Sequence, residues 1–88
     1  MKTVNIGFGN FVCSDRIIAV VSPDSAPIKR LIQEAKDSKD AIDVTCGRKT
    51  RAVIIMDSDH IILSAILPVS ISSRVNGKDV QEIQEDEE

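Results

Sequence analysis

Two apolar runs on either side of a short polar turn constrain the fold of this chain more than any other feature. The runs cover residues 51–56 and 61–67, and residues 57–60 lie between them, the arrangement of a β-hairpin. Apolar residues stand at odd and even positions alike, whereas a strand with one face in water alternates apolar and polar residues. Both strands are therefore predicted to be buried on both faces. A single helix covers one face only, so we expect a second subunit to cover the other.

The other segments predict a small α+β domain around this hairpin. Apolar residues spaced i, i+3, i+4 and i+7 from Ile28 predict an amphipathic helix over residues 26–38, with Ser25 as its N-cap. Apolar and β-branched stretches predict further extended segments at residues 4–6, 11–13, 16–21, 42–45 and 69–71. The expected fold is a small mixed or antiparallel sheet with this one main amphipathic helix.

Charge divides the 88-residue chain into two parts. Residues 1–73 carry nine basic and eight acidic side chains, whereas residues 74–88 carry two basic and six acidic ones, a net charge of −4. The second part has few large apolar residues, which predicts a disordered acidic tail. A chain of this length makes one domain. We therefore assign residues 1–73 to a single domain and residues 74–88 to the tail.

The sequence contains no recognisable catalytic or cofactor-binding arrangement. Residues 7–9 (Gly-Phe-Gly) lack the third glycine of a dinucleotide-binding loop and the Lys-Ser/Thr of a phosphate-binding loop, which favours a structural turn. His60 lies beside two aspartates, but a structural zinc site needs about four ligands dominated by Cys or His. Neither Cys13 nor Cys46 has the setting of a nucleophile. We predict a protein that is not an enzyme and that binds no metal and no cofactor.

The cysteines and the apolar runs also predict where the protein works. Cys13 and Cys46 form no CxxC pair, and two free thiols are typical of a reducing compartment. The longest unbroken apolar run is residues 17–21, far shorter than the roughly 20 residues of a membrane span. Strand-like sequence starts near the first residue, where a signal peptide would otherwise stand. We therefore expect a cytoplasmic protein with no membrane partner.

A basic segment stands at the entrance to the first buried strand. Arg48, Lys49 and Arg51 place three cations within four residues, and such neighbours repel one another unless anions neutralise them. Phosphate is a suitable anion because guanidinium donors match its oxygens. The further candidates for the same patch are Arg16, Lys29 and Arg30. The residues alone leave open that the segment is an ordinary solvated surface.

Five blocks of the sequence, taken in order, carry a resemblance to a known family. They are residues 5–10, 16–18, 22–30, 47–51 and 55–60. Together they resemble the RemA family of bacterial regulators from about residue 4 to residue 69. The resemblance implies a LytTR-like fold and a ring-shaped homo-oligomer whose basic outer surface binds duplex DNA. It also implies a regulator, by activation, of extracellular-matrix and biofilm genes that is associated with the nucleoid.

The resemblance further implies roles for single residues. Arg16, Arg48 and Lys49 match positions that contact DNA, and Arg51 lies in the same block. The chain departs from many relatives at Lys49, where we expect arginine, and at Cys46, where we expect an aromatic residue. Lysine keeps the charge but loses the two-pronged donor geometry of arginine, which weakens a single contact without changing its kind.

Two alternatives to a duplex-binding regulator remain open. One is a single-stranded RNA- or DNA-binding protein, which is disfavoured because such proteins stack bases on aromatic side chains. Phe8 and Phe11 are the only aromatic residues of the chain. The other is an oligomeric scaffold or small-ligand binder with no nucleic-acid function, for which the basic segment is only a surface feature.

Overall fold

Four strands form one mixed sheet in the computed structural model, which describes residues 2–77. In chain order the elements are β1 (Thr3–Asn5), β2 (Phe11–Cys13), β3 (Ile17–Val21), α1 (Ala26–Asp37), β4 (Ala41–Asp43), β5 (Ala52–Met56), β6 (Ile61–Ser64) and α2 (Pro68–Val75). A 3₁₀ turn, Ser14–Arg16, joins β2 to β3. The sheet has the order β3-β5-β6-β4, with β4 parallel to β6 and the other neighbours antiparallel, and β1 and β2 form a separate hairpin. The predicted α+β class with a mixed sheet is confirmed.

The β5–β6 hairpin is the centre of the sheet and is buried on both faces, as its sequence predicts. Val53 and Leu63 point to one face, where they pack against α1. Ile54 and Ile62 point to the opposite face. Successive side chains of a strand alternate between faces, so an unbroken apolar run supplies a core on each side. Helix α1 begins after Ser25 and ends one residue before the predicted limit.

The second face of the sheet is covered from within the chain. Val4 and Ile6 of the β1–β2 hairpin, with Ile66 and Ile71 of the C-terminal segment, are buried in one cluster with Ile54. The sequence argument for a second subunit is therefore wrong, because the face that seemed to need a partner already has its cover. Self-association stays a prediction that needs other support.

Helix α2 corrects the prediction of an extended segment at residues 69–71. Its sequence is rich in β-branched residues and serine, which are poor helix formers. Pro68 nevertheless suits the first helical position because its fixed φ is helical and its missing N–H is not needed there. The preceding strand also stops at Ser64 instead of residue 67. The Ser64 hydroxyl donates to the Ile6 carbonyl (2.8 Å) and accepts from the Ile66 N–H (3.1 Å), which turns the chain out of the sheet.

The last turn of α2 crosses the predicted domain boundary. The helix runs through Val75, two residues past position 73. The Arg74 guanidinium donates to the Asn5 carbonyl (2.8 Å), which ties this turn to β1. The rest of the predicted acidic tail, residues 78–88, lies outside the described residues. Within residues 2–77, no helix is long and apolar enough to cross a membrane.

Candidate nucleic-acid interface

Strand register places the basic segment at one end of the sheet, which we call the basic end. β5 starts there, because Ala52 pairs with Ser64 at the end of β6 and Val53 pairs with Val21 at the end of β3. The loop that joins β4 to β5 crosses this end; we call residues 45–51 the basic loop. Arg48, Lys49 and Arg51 are exposed on it. The Arg51 N–H donates to the Ser64 carbonyl (2.8 Å), so the loop is fixed to the sheet as it enters β5.

A short network at the end of β4 shapes the basic loop. The Thr45 hydroxyl (2.6 Å) and the Thr45 N–H (2.8 Å) both donate to the Asp43 carboxylate. The hydroxyl bond, and then the backbone bond, lower the pKa of Asp43 below its usual value of 3.8, with a smaller lowering effect from Lys36, while burial opposes the shift. Cys46 and Gly47 then adopt φ of 55° and 84°, and the Arg48 N–H donates to the Thr45 carbonyl (3.1 Å). This left-handed turn carries the cations past the end of the sheet.

Replacing Thr45 by valine tests this network. Thr45 is buried, and the Thr45→Val variant keeps its shape but removes one hydrogen bond to a carboxylate. We expect a loss of about 1 kcal/mol of unfolding free energy at neutral pH and a rise in the pKa of Asp43. Because folding lowers the pKa of Asp43, the stabilisation from its hydrogen bonds with Thr45 is present above pH 3.8. It is lost as the pH falls through the lowered pKa of Asp43. Denaturation at neutral pH and below that pKa measures the effect, with the exposed Thr3→Val as control; an equal difference at both pH values would contradict it.

The tip of the β1–β2 hairpin lies against the basic loop. Phe8 is in the turn at residues 7–10, and the guanidinium carbon of Arg48 lies 5.8 Å from the centroid of its ring. Such a cation over an aromatic face is attracted by the ring quadrupole. Sequence reasoning treated residues 7–9 only as a turn and missed this contact. No local sequence signal connects Phe8 with Arg48, which are 40 positions apart. Their loops meet only because the β1–β2 hairpin packs on the four-stranded sheet.

A shallow hollow of about 160 Å³ opens beside the basic loop. It is lined by Ser22, Pro23, Asp24, Lys49, Thr50, Arg51, Leu67 and Pro68. Two cations and two hydroxyls thus line one small opening, together with the carboxylate of Asp24. Helix α1 starts at the same end of the sheet, directly after β3 and Ser25, and carries Lys29 and Arg30, both exposed, within its first two turns. The predicted candidates on the loop and on α1 therefore share the basic end.

Arg16 does not join them within one chain. It precedes β3, whose five residues span about 16 Å to the basic end. Its guanidinium forms an ion pair with the Asp57 carboxylate (3.4 Å), and its carbonyl accepts from the Asp57 N–H (2.9 Å). The two side chains are 64% and 44% exposed, so the pair contributes at most about 1 kcal/mol. The sequence analysis places Arg16 in the same patch as the basic loop, but the direction of β3 puts it at the opposite end of the sheet.

Comparison with known proteins identifies the family. Residues 3–75 match the RemA-like family, described as "Extracellular matrix regulatory protein A-like". The chain is 56% identical over 88 residues to a "Putative regulatory protein" of Acetivibrio thermocellus, covering 100% of this chain and 95% of that one. A protein of the same name from Carboxydothermus hydrogenoformans is 61% identical over 82 residues (93% and 94% covered). A relative from Halalkalibacterium halodurans is 61% identical over 79 residues (90% and 91% covered). The resemblance is confirmed: the chain belongs to the RemA-like family, whose relatives are named as regulatory proteins.

Proposed function

We propose that this protein is a transcriptional regulator that binds duplex DNA through phosphate contacts at its basic end. The observation that carries the proposal is the convergence of Arg48, Lys49 and Arg51 with the start of α1 at one end of the sheet. These cations are exposed, and half or more of the hydrogen bonds in protein–DNA complexes go to phosphate and sugar. Lys29 and Arg30 extend the contact on α1. Arg16, at the opposite end of the sheet, is a separate candidate contact that the Asp57→Asn variant tests.

The weak net positive charge of residues 1–77 favours a repeated site, since the whole chain has a formal net charge of −3. Residues 1–77 carry ten basic and eight acidic side chains, a net charge of +2. Neutralisation of phosphates by Lys and Arg supplies most of the non-specific affinity for DNA. Because the cations of residues 1–77 barely outnumber the carboxylates of the same segment, a single copy is expected to bind DNA weakly. Several copies along one duplex raise the affinity by multivalency without any stronger single contact. A DNA-binding role for this chain therefore goes together with self-association.

The sheet edges support a head-to-tail ring. β3 and β4 are the outer strands of the sheet, and each exposes an isoleucine: Ile18 is 65% and Ile42 is 44% exposed. Unpaired strand edges with apolar side chains are surfaces on which further chains pair. Joining β3 of one copy to β4 of the next is a heterologous contact, which closes into a ring when the rotation permits. Such pairing points every basic end in the same direction.

Lysine at either edge is expected to break the ring. In the Ile18→Lys and Ile42→Lys variants, the new charge has to be buried against the neighbouring copy, which is strongly unfavourable. We expect light scattering to show several-fold the monomer mass for the parent and the monomer mass for each variant. Val69→Lys is the control, because Val69 is 69% exposed on α2, outside the strands of the sheet. A parent that is monomeric at micromolar concentration would overturn the ring.

The description of the family supports a proposal for the regulated genes and for the cellular location of the protein. Its reference to extracellular matrix supports regulation of matrix and biofilm genes. Activation of those genes and a LytTR-like fold are carried over from the resemblance of the sequence blocks. A regulator of this kind acts in the cytoplasm at the nucleoid. The regulatory names of the relatives favour a role without catalysis.

A binding titration tests the function and separates the alternatives. The probe is a labelled duplex of about 30 base pairs, because the chain has no Trp or Tyr. We expect affinity to fall steeply between about 50 and about 200 mM salt, and unlabelled single strands of equal length to compete poorly. Better competition by single strands would favour the single-strand alternative. Absence of salt-sensitive binding would favour the scaffold or small-ligand alternative.

The Asp57–Arg16 ion pair yields a further prediction about the separate contact. If Arg16 contacts phosphate, Asp57 competes with DNA for the guanidinium, so the Asp57→Asn variant is expected to bind duplex about two- to fivefold more tightly. Asp59→Asn is the matched control, since it removes the same charge from the same turn. Equal gains in both variants would show that only the general charge matters. No gain in either would place Arg16 away from the DNA.

A further inference from the structure

We propose that Phe8 positions Arg48 for phosphate binding, as part of the site under Proposed function and resting on it. The guanidinium carbon of Arg48 lies over the ring of Phe8, 5.8 Å from the ring centroid, within the range at which the ring quadrupole attracts a cation. The ring has no hydrogen-bond acceptor for the guanidinium, so the guanidinium donors stay available to phosphate oxygens. Phe8 is thus a positioning residue that acts through Arg48.

The turn that holds Phe8 is built without its ring. The Gly7 N–H donates to the Asn5 side-chain oxygen (2.8 Å), and the Asn10 side-chain amide donates to the Gly7 carbonyl (2.9 Å). The Asn10 N–H donates to the same carbonyl (3.0 Å). Gly7 approaches Ile66 so closely that an added Cβ would lie 3.2 Å from its Cδ1. The turn is therefore fixed to the core by its neighbours, and the ring of Phe8 is not needed to close it.

The side chain at position 8 stands where glycine would be easier to accommodate. Phe8 has φ of 55° between Gly7 and Gly9, a left-handed conformation that bulky residues rarely adopt. Phe8 is 37% exposed and lies outside both buried clusters of the core. Strained residues of this kind are concentrated at functional sites. The contact of the ring that fits such a role is the one with Arg48.

Holding Arg48 in place raises affinity because a free arginine side chain loses many rotamers when it binds. A side chain that is already held loses fewer of them. Cation–π contacts at exposed sites correspond to about a two- to fivefold change in an equilibrium constant. A repeated site multiplies this over the copies that touch the duplex. We therefore expect Phe8→Leu to weaken duplex binding by about tenfold or more, although it removes no charge.

A double-mutant cycle on the full-length protein tests the inference. The variants are Phe8→Leu, Arg48→Ala and both together, titrated with the labelled duplex, and Phe8→Tyr as the conservative replacement. We expect Phe8→Leu to weaken binding in the parent, to have no further effect in the Arg48→Ala background, and Phe8→Tyr to bind like the parent. In the DNA-free protein, the NMR signals of the Arg48 side chain should lose their ring-current displacement in Phe8→Leu and keep it in Phe8→Tyr.

The outcomes separate this inference from the proposed function. If Arg48→Ala weakens binding but Phe8→Leu binds like the parent, the positioning role is overturned and the interface stands. Additive losses in the double variant, or Arg48 signals unchanged by Phe8→Leu, also overturn it. If Arg48→Ala itself binds like the parent, the role of Phe8 and the proposed interface fail together.

Discussion

The Ile71→Ala variant is expected to lose about 3 kcal/mol of unfolding free energy. Ile71 is fully buried in α2, in the cluster with Ile54, Ile66 and Val4. Shortening a buried isoleucine to alanine removes apolar contacts and leaves a cavity, which costs about 2–5 kcal/mol. Chemical denaturation followed by far-UV circular dichroism measures the loss. Parent and variant are compared at one protein concentration, because self-association stabilises the folded state by mass action.

The neighbouring Ser72→Ala variant is the matched control for α2. Ser72 is exposed on the same helix, and surface substitutions of this kind change stability by about 0.5 kcal/mol or less. A loss below about 1 kcal/mol for Ile71→Ala would contradict the packing of α2 on the sheet. The face opposite α1 would then lack part of its cover, and the argument for a second subunit over that face would return.

Removing one arginine of the basic loop is expected to have the largest effect on DNA binding. Arg48→Ala and Arg51→Ala each delete one cation from every copy that touches the duplex, so the loss exceeds the scale of about 1 kcal/mol for one exposed ion pair. The slope of the logarithm of affinity against the logarithm of salt concentration should fall by about one per lost contact. Titration of the labelled duplex at several salt concentrations measures both quantities.

Lys39→Asn is the control for charge alone. Lys39 follows α1 at the opposite end of the sheet and has φ of 66°, a conformation that asparagine tolerates well. This variant removes one cation without touching the basic loop, and we expect affinity and salt slope close to the parent's. If the loop variants and Lys39→Asn lose affinity equally while all remain folded, the effect belongs to net charge and not to the basic end.

The elements predicted best are those in which the local pattern of apolar residues indicates which side chains are buried. The unbroken apolar runs identify β5 and β6 as strands buried on both faces. The stripe from Ile28 to Ala35, with Ser25 before it, identifies α1 within one residue. In these segments the local pattern and the tertiary environment agree, so sequence reasoning is sufficient.

The failures arise where distant segments decide the structure. Residues 69–71 have the composition of a strand, yet they form a helix because Pro68 starts it and the core receives Ile71. The cover of the second face was missed for the same reason, since the β1–β2 hairpin and α2 are short and weakly patterned. The position of Arg16 depends on strand direction. The contact between Phe8 and Arg48 depends on how two loops meet, which no local pattern encodes.

Hydrogen–deuterium exchange with and without duplex DNA reports which segments of the chain the DNA covers. We expect slower exchange in the basic loop, residues 45–51, and in the hairpin turn at residues 7–10 when the duplex is added at low salt. We expect no change at residues 38–40, which lie at the opposite end of the sheet beside β4, on the other edge from β3 and Arg16. Exchange that is slowed at residues 38–40, or unchanged in the basic loop under saturating duplex, would contradict DNA binding at the basic end.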